Sequence, residues 1–270
     1  MSIDMAIDFP NISPIIYEIG PIPIRWYSLA YIAGILLGHS YIKYLNKHSP
    51  EAIPGKLLED ILIWLVLGII IGGRLGYVLF YNFNEYWLEP LTILMTWRGG
   101  LSFHGGFLGV VSAMFWFTRK HKLEFFKVTD LIAAAFPLGI GFGRIANFIN
   151  GELYGRVTNV AWGVRFPHGG EMPRHPSQLY EALGEGFIPF MILFIVVTKT
   201  NARKYKGLTT GLFLLLYASA RMILEYFREP DFHLGFILPN LTMGQILSFP
   251  ILLLGLVIVY IVVRRQGHHQ

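Results

Sequence analysis

The chain has 270 residues, 54% hydrophobic, 15% aromatic and only 14% charged, with a mean hydropathy of +0.51 and a formal charge of +5. That composition excludes an ordinary soluble domain and points to a membrane protein, in which basic residues mark topology more simply than they mark nucleic-acid binding. Cysteine is absent, which excludes disulfides, metal thiolates and a cysteine nucleophile of the protein's own, so a thiol in its chemistry must arrive with a substrate.

Residues 1–24 are mixed and punctuated by proline. They carry Asp4, Asp8 and Glu18 but no lysine, lack the positive n-region of a signal peptide, and read as an extracytoplasmic segment. Seven apolar stretches follow, near 25–45, 57–81, 100–118, 128–149, 178–198, 208–228 and 241–263. Each is long enough to span the roughly 30 Å hydrocarbon core as a helix. Between them the charge alternates. Lys43, Lys47 and Lys56, then Arg119, Lys120, Lys122 and Lys127, then Lys199, Arg203, Lys204 and Lys206, then Arg264 and Arg265 form one set; Arg25, Arg98, Arg156, Arg165, Arg174 and Arg228 form the other. The positive-inside rule makes the richer set cytoplasmic, with the N-terminus outside and the C-terminus inside. The expected fold is therefore an all-α integral membrane protein: one domain over 1–270, a bundle of seven transmembrane helices, and a small outer, periplasmic cap from the loop at about 150–177. Gly68, Gly72 and Gly76 at four-residue spacing suit close helix approach in lipid.

The basic residues left inside the spans are all arginines, Arg74, Arg144 and Arg221. Arginine is the planar fork suited to bidentate phosphate contacts, whereas lysine suffices to mark topology, so the outer half looks built to hold an anion. The stretch Pro137–Arg156, PLGIGFGRIANFINGELYGR, runs from an apolar span into a polar loop. Arg144 and Asn147 are three apart and share a helical face, and an arginine at membrane depth usually marks a functional site. The plain alternative has Arg144 answering a buried Glu181 or Glu185 and Asn147 joining helices. Asn150, Glu152 and Gly155 close the stretch, where Glu152 fixes the loop by hydrogen bonds more readily than it meets a substrate.

Tyr217, Arg221, Glu225 and Arg228 of the sixth span lie at i, i+4, i+8 and i+11, which keeps all four on one stripe of a helix. An intrahelical Arg-Glu-Arg ladder competes with a functional role for Glu225 and Arg228, while Arg221 lies deeper and would complete a clamp with Arg144. His104 precedes Gly105 and Gly106 at the outer end of the third span. A lone histidine there reads as a helix-joining residue, but the glycines clear space beside it and its pKa suits proton removal near neutrality. The run His175-Pro176-Ser177-Gln178-Leu179-Tyr180-Glu181 reads as a helix start capped by serine or histidine, with Gln178, Glu181 and Glu185 on one face. Asp60, Arg74, His39 and Gln245 read as internal pairs. No aspartate-rich pair for Mg²⁺, no Gly-x-Ser-Gly in a span and no Walker-type loop is present, so the sequence calls for no metal and no cofactor.

The run from Gly143 to Gly155, GRIANFINGELYG, resembles the signature of bacterial prolipoprotein diacylglyceryl transferase at each defined position, and the resemblance extends to His104–Gly106, His175–Glu181 and the Arg221/Glu225/Arg228 set. It implies transfer of diacylglyceryl from phosphatidylglycerol to the lipobox cysteine of a preprolipoprotein signal peptide, in the bacterial cytoplasmic (inner) membrane. It implies His104, Arg221 and Tyr217 as catalytic, with either His104 or Tyr217 taking the thiol proton. It implies substrate contacts at Arg144, Asn147, Tyr27, Glu152, Gly155, Glu225, Arg228 and Glu181. A lipid transporter with a midplane anion site, or a structural lipid-binding subunit, would be the other classes.

Overall fold

The computed structural model describes residues 6–10, 12–20, 22–49, 51–80, 86, 88–95, 100–230, 236–238 and 241–267. Seven long helices stand among them: α1 Trp26–Lys47, α2 Gly55–Phe80, α3 Phe103–Lys120, α4 Phe125–Ile149, α5 Ser177–Lys199, α6 Leu208–Leu224 and α7 Met243–Gly267. Each falls within a few residues of an expected apolar stretch. Four are long and apolar enough to cross a membrane: Gly55–Leu79, Phe125–Ile149, Ser177–Lys199 and Met243–Arg265. The other three are shorter or more polar: α1 carries His39, Lys43 and Asn46, α3 has 18 residues and ends on Arg119 and Lys120, and α6 has 17.

The chain divides into two compact units, Met1–Ile42 with Asp130–Gln270, and Lys43–Thr129. In the second, α2 and α3 pack backbone to backbone. A Cβ placed on Gly76 would come 2.6 Å from Gly105 Cα, so the glycine spacing read from the sequence is a packing seam. The α3 N-terminus is capped by Ser102, whose hydroxyl accepts from Gly105 N at 3.2 Å. Arg74 is buried, and carbonyls are among its partners. Its guanidinium donates to Thr92 O (2.7 Å), Ile93 O (2.8 Å) and Gly100 O (3.2 Å), closing the end of the 3₁₀ turn Pro90–Leu94.

The first unit holds the remaining helices. α4 carries Pro137 in its interior, where proline removes one helical hydrogen bond. α5 opens with an α-turn at Ser177–Glu181, widens to a π-helical turn over Ala182–Phe187, and resumes at Ile188–Lys199. At the wide turn α4 and α5 touch main chain to main chain: a Cβ on Gly186 would lie 2.7 Å from Gly141 N. Asp130 of α4 caps α6 from outside, accepting from Gly207 N (2.7 Å), Thr210 N (2.8 Å) and Thr210 Oγ1 (2.6 Å). α7 starts in a reciprocal capping box. Thr242 Oγ1 accepts from Gln245 N (3.4 Å) and Gln245 Oε1 accepts from Thr242 N (3.2 Å).

Strand pieces flank the helices. β2 (Ile15–Ile19) and β3 (Ile22–Arg25) form an antiparallel hairpin leading into α1, and β1 (Ile7–Asp8) pairs in parallel with β4 (Val164–Arg165) in the segment between α4 and α5. Arg165 Nη1 donates to Asp8 Oδ1 at 3.0 Å across that pair. Phe9, Phe148, Tyr154 and Phe166 cluster, with neighbouring ring centroids 5.4 to 5.9 Å apart, which ties the 150–176 segment to the N-terminal segment and to the end of α4.

Candidate active site

The run at the end of α4 organises a cluster of polar side chains in the first unit. Asn147 and Asn150 both donate to Glu152 Oε1, at 2.8 and 3.3 Å, and Glu152 N returns to Asn147 O at 3.1 Å. Gln178, fully buried on α5, donates to Glu152 O at 2.6 Å, and Ser177 Oγ donates to Leu153 O at 3.1 Å. Glu152 thus fixes the loop, as the plainer reading of the sequence expected. Ser177 spends its hydroxyl on that loop and so leaves α5 without a side-chain cap; the expected serine or histidine cap is not formed. Tyr27, in the first turn of α1, bonds Tyr31 Oη at 3.1 Å and meets the Asn147 side chain, so it joins this group.

Three arginines and three glutamates converge next to it. Arg144 of α4 pairs with Glu181 Oε2 at 2.9 Å and Glu185 Oε2 at 3.1 Å. Arg221 of α6 reaches Glu181 Oε1 (3.1 Å), Glu185 Oε1 (3.2 Å) and Glu225 Oε2 (2.8 Å). Arg228 Nη1 donates to Glu181 Oε1 at 3.3 Å. The six formal charges cancel. Glu181 and Glu185 are wholly buried, whereas the Arg144 and Arg221 side chains keep 18% and 13% exposure, so what exposure these four side chains have is on the arginines. Removing one member would strand a buried charge, at a cost of about 3–5 kcal/mol. Arg144 and Arg221 therefore point into one place, and the carboxylates weighed as the alternative partners of Arg144 are the ones that join them. Tyr217 is buried beside the cluster, its ring stacked on Phe213 at 5.9 Å.

The expected stripe of Tyr217, Arg221, Glu225 and Arg228 is realised only in part. Arg221 and Glu225 form the i, i+4 pair of the ladder, but the helix stops at Leu224 and Arg228 turns away to Glu181. The stop has a cause: residues 155–156 thread between 175 and 227. Gly155 N donates to His175 O (2.9 Å), Arg156 N to Phe227 O (2.9 Å), and Arg156 Nε to Arg228 O (2.9 Å). A Cβ on Gly155 would sit 2.6 Å from His175 O, so only glycine passes there. Glu225 is tied at its other oxygen by Thr242 Oγ1, which donates at 2.8 Å. Arg174 closes the loop by donating to Gly169 O (2.7 Å) and Gly155 O (3.1 Å). Burial lowers the pKa of His175, whose Nδ1 lies 3.2 Å from Tyr180 Oη.

His104 lies in the first turn of α3, in the other unit, and its side chain lies outside the described residues. The residue that sequence reasoning undervalued is Glu185, read as one possible partner of Arg144 and as sharing a face with Gln178 and Glu181. The signal was its i, i+4 spacing from Glu181 in an apolar span, where two acids are costly without cations between them.

The chain matches the family model described as prolipoprotein diacylglyceryl transferase over residues 14–261. A protein of Rickettsia akari (strain Hartford) named phosphatidylglycerol–prolipoprotein diacylglyceryl transferase is 56% identical over 248 residues, 92% of this chain and 95% of its own. A protein of Rickettsia bellii (strain OSU 85-389) with the same name is 52% identical over 258 residues, 96% of this chain and 97% of its own. With most of its length matched by the family model and by relatives sharing more than half their residues, this chain belongs to the prolipoprotein diacylglyceryl transferase family.

Proposed function

We propose that the chain transfers the sn-1,2-diacylglyceryl group from phosphatidylglycerol to the thiol of the lipobox cysteine in a preprolipoprotein signal peptide. A thioether forms, glycerol phosphate leaves, and the step is the first in bacterial lipoprotein maturation. The observation that carries this reading is the meeting of Arg144 and Arg221, from two helices, on the same pair of carboxylates, in a chain of this family. The cysteine sulfur attacks the glyceryl carbon, the carbon–oxygen bond to phosphate breaks, and the electron pair goes to the departing phosphate ester. No redox change occurs, and no cofactor is called for. Arg144 and Arg221 absorb the charge growing on the leaving group. A free thiol with pKa near 8.5 is only a few per cent thiolate at pH 7, so its proton is taken by His104 or relayed through the Tyr217 hydroxyl, which passes its own proton to the departing phosphate ester. Asn147, Tyr27, Glu152 and Gly155 shape the headgroup side, Glu181 and Glu225 hold the arginines, and Arg228 braces Glu181.

The setting we propose is one membrane domain of seven spans in the bacterial cytoplasmic (inner) membrane. The N-terminus and a cap at about 150–177 lie outside, and the C-terminus lies inside. The test uses purified protein in phosphatidylglycerol vesicles with a peptide bearing a lipobox cysteine. The peptide should gain the mass of diacylglyceryl with equal release of glycerol phosphate, and a Cys-to-Ser peptide should gain none. Lipid movement across the bilayer without peptide modification would instead favour a transporter.

A further inference from the structure

The three glutamates of the cluster are not equivalent. Glu181 serves Arg144, Arg221 and Arg228, and Glu225 serves Arg221 and Thr242. Glu185 pairs, among the described residues, with Arg144 and Arg221 alone. It gives one oxygen to each: Oε2 to Arg144 Nη2 at 3.1 Å and Oε1 to Arg221 Nη1 at 3.2 Å. Two oxygens of one anion bridging two guanidinium groups is also how a phosphate would seat itself there. The backbone is built for this placement. Glu185 lies inside the π-helical turn, a feature frequent at functional sites, and the Gly186 contact with Gly141 presses that turn against α4.

We propose that Glu185 is an internal counter-anion: it fills the guanidinium pair between turnovers and yields to the phosphate of the incoming lipid. The inference rests on the arginine pair being the phosphate site. It explains how two arginines persist in an apolar bundle between turnovers. It also makes Glu185 a positioning residue that sets affinity. The carboxylate repels the phosphate it exchanges with, and that repulsion favours release of glycerol phosphate.

The experiment is a titration of the detergent-solubilised full chain with sn-glycerol 1-phosphate, read by thermal shift against potassium chloride of equal ionic strength. Parent, Glu185→Gln and Arg144→Ala are compared. Without ligand, Glu185→Gln should melt below the parent. With ligand, it should rise further and reach half-saturation at a concentration lower by about tenfold or more, since one like charge within contact distance has gone. In the transfer assay its KM for phosphatidylglycerol and its kcat should both fall, because product is held as tightly as substrate. If the parent binds, Arg144→Ala does not, and Glu185→Gln binds no tighter than the parent, the arginines are the phosphate site and the counter-anion role is overturned. If none of the three binds, the phosphate-site reading itself fails. Should the Gln variant not fold, Glu185→Asp keeps the charge but withdraws it by one methylene. Several-fold tighter binding is then expected, and unchanged or weaker binding overturns the proposal.

Discussion

Arg144 and Arg221, cations in apolar helices, meet on the shared carboxylates of Glu181 and Glu185, a two-point contact that the planar guanidinium fork suits. The carboxylates between them were legible only as alternatives, because spacing along α5 says which face Glu181 and Glu185 share but not which helix that face meets. Glu181 takes three arginines and is wholly buried. Glu181→Ala should lower unfolding stability by about 3–5 kcal/mol, measured by denaturant or thermal unfolding, where an exposed pair such as Lys43 and Glu59 would cost about 1 kcal/mol or less. His175 gives a pH signature. Burial holds its folded pKa below the usual value, so the neutral ring is preferred in the fold and the unfolded chain binds the extra proton first. Its contribution is therefore fully present above the ordinary histidine pKa of about 6.5 and is lost as pH falls from there through the folded value. Melting temperature should decline over that window, and the decline should flatten in His175→Gln.

At the scale of elements, the seven helices follow from length and apolarity, and their bounds fall within a few residues of expectation. The end of α6 did not, because the cause lies elsewhere in the chain: the 155–156 segment takes the Phe227 carbonyl, which no local propensity encodes. The β2–β3 hairpin was also unread, since Pro21, Pro23 and Gly20 break an apolar run that alternates poorly; Gly20 supplies the positive φ of +58° next to that turn. The wide turn in α5 was equally hidden. Its dependence on Gly186 is testable, because a methyl there meets the Gly141 backbone, which cannot move aside as a side-chain end would. Gly186→Ala should destabilise by about 1–3 kcal/mol and reduce transfer by pushing Glu185 and Glu181 from the arginines, whereas Gly143→Ala, with nothing within 4 Å of its Cβ, should be tolerated in stability.

For the whole molecule, the four clearly membrane-length helices and the family mark a multi-pass membrane protein, and the sidedness proposed for it rests on the charge bias of the loops. The absence of cysteine makes that assignment easy to check with single introduced cysteines in intact spheroplasts. Lys122→Cys and Lys204→Cys should react with a membrane-impermeant maleimide only after permeabilisation, and Glu171→Cys should react from outside; the reverse pattern would invert the topology. The central claim, that guanidinium groups of α4 and α6 stabilise one departing phosphate ester, is tested most directly by glycerol phosphate release in phosphatidylglycerol vesicles with the lipobox peptide. Arg144→Ala and Arg221→Ala, each shown folded by circular dichroism, should each lose on the order of 10²–10³ in kcat, with Arg144→Lys in between. A folded Arg144→Ala or Arg221→Ala protein that releases glycerol phosphate at the parental rate would contradict the account.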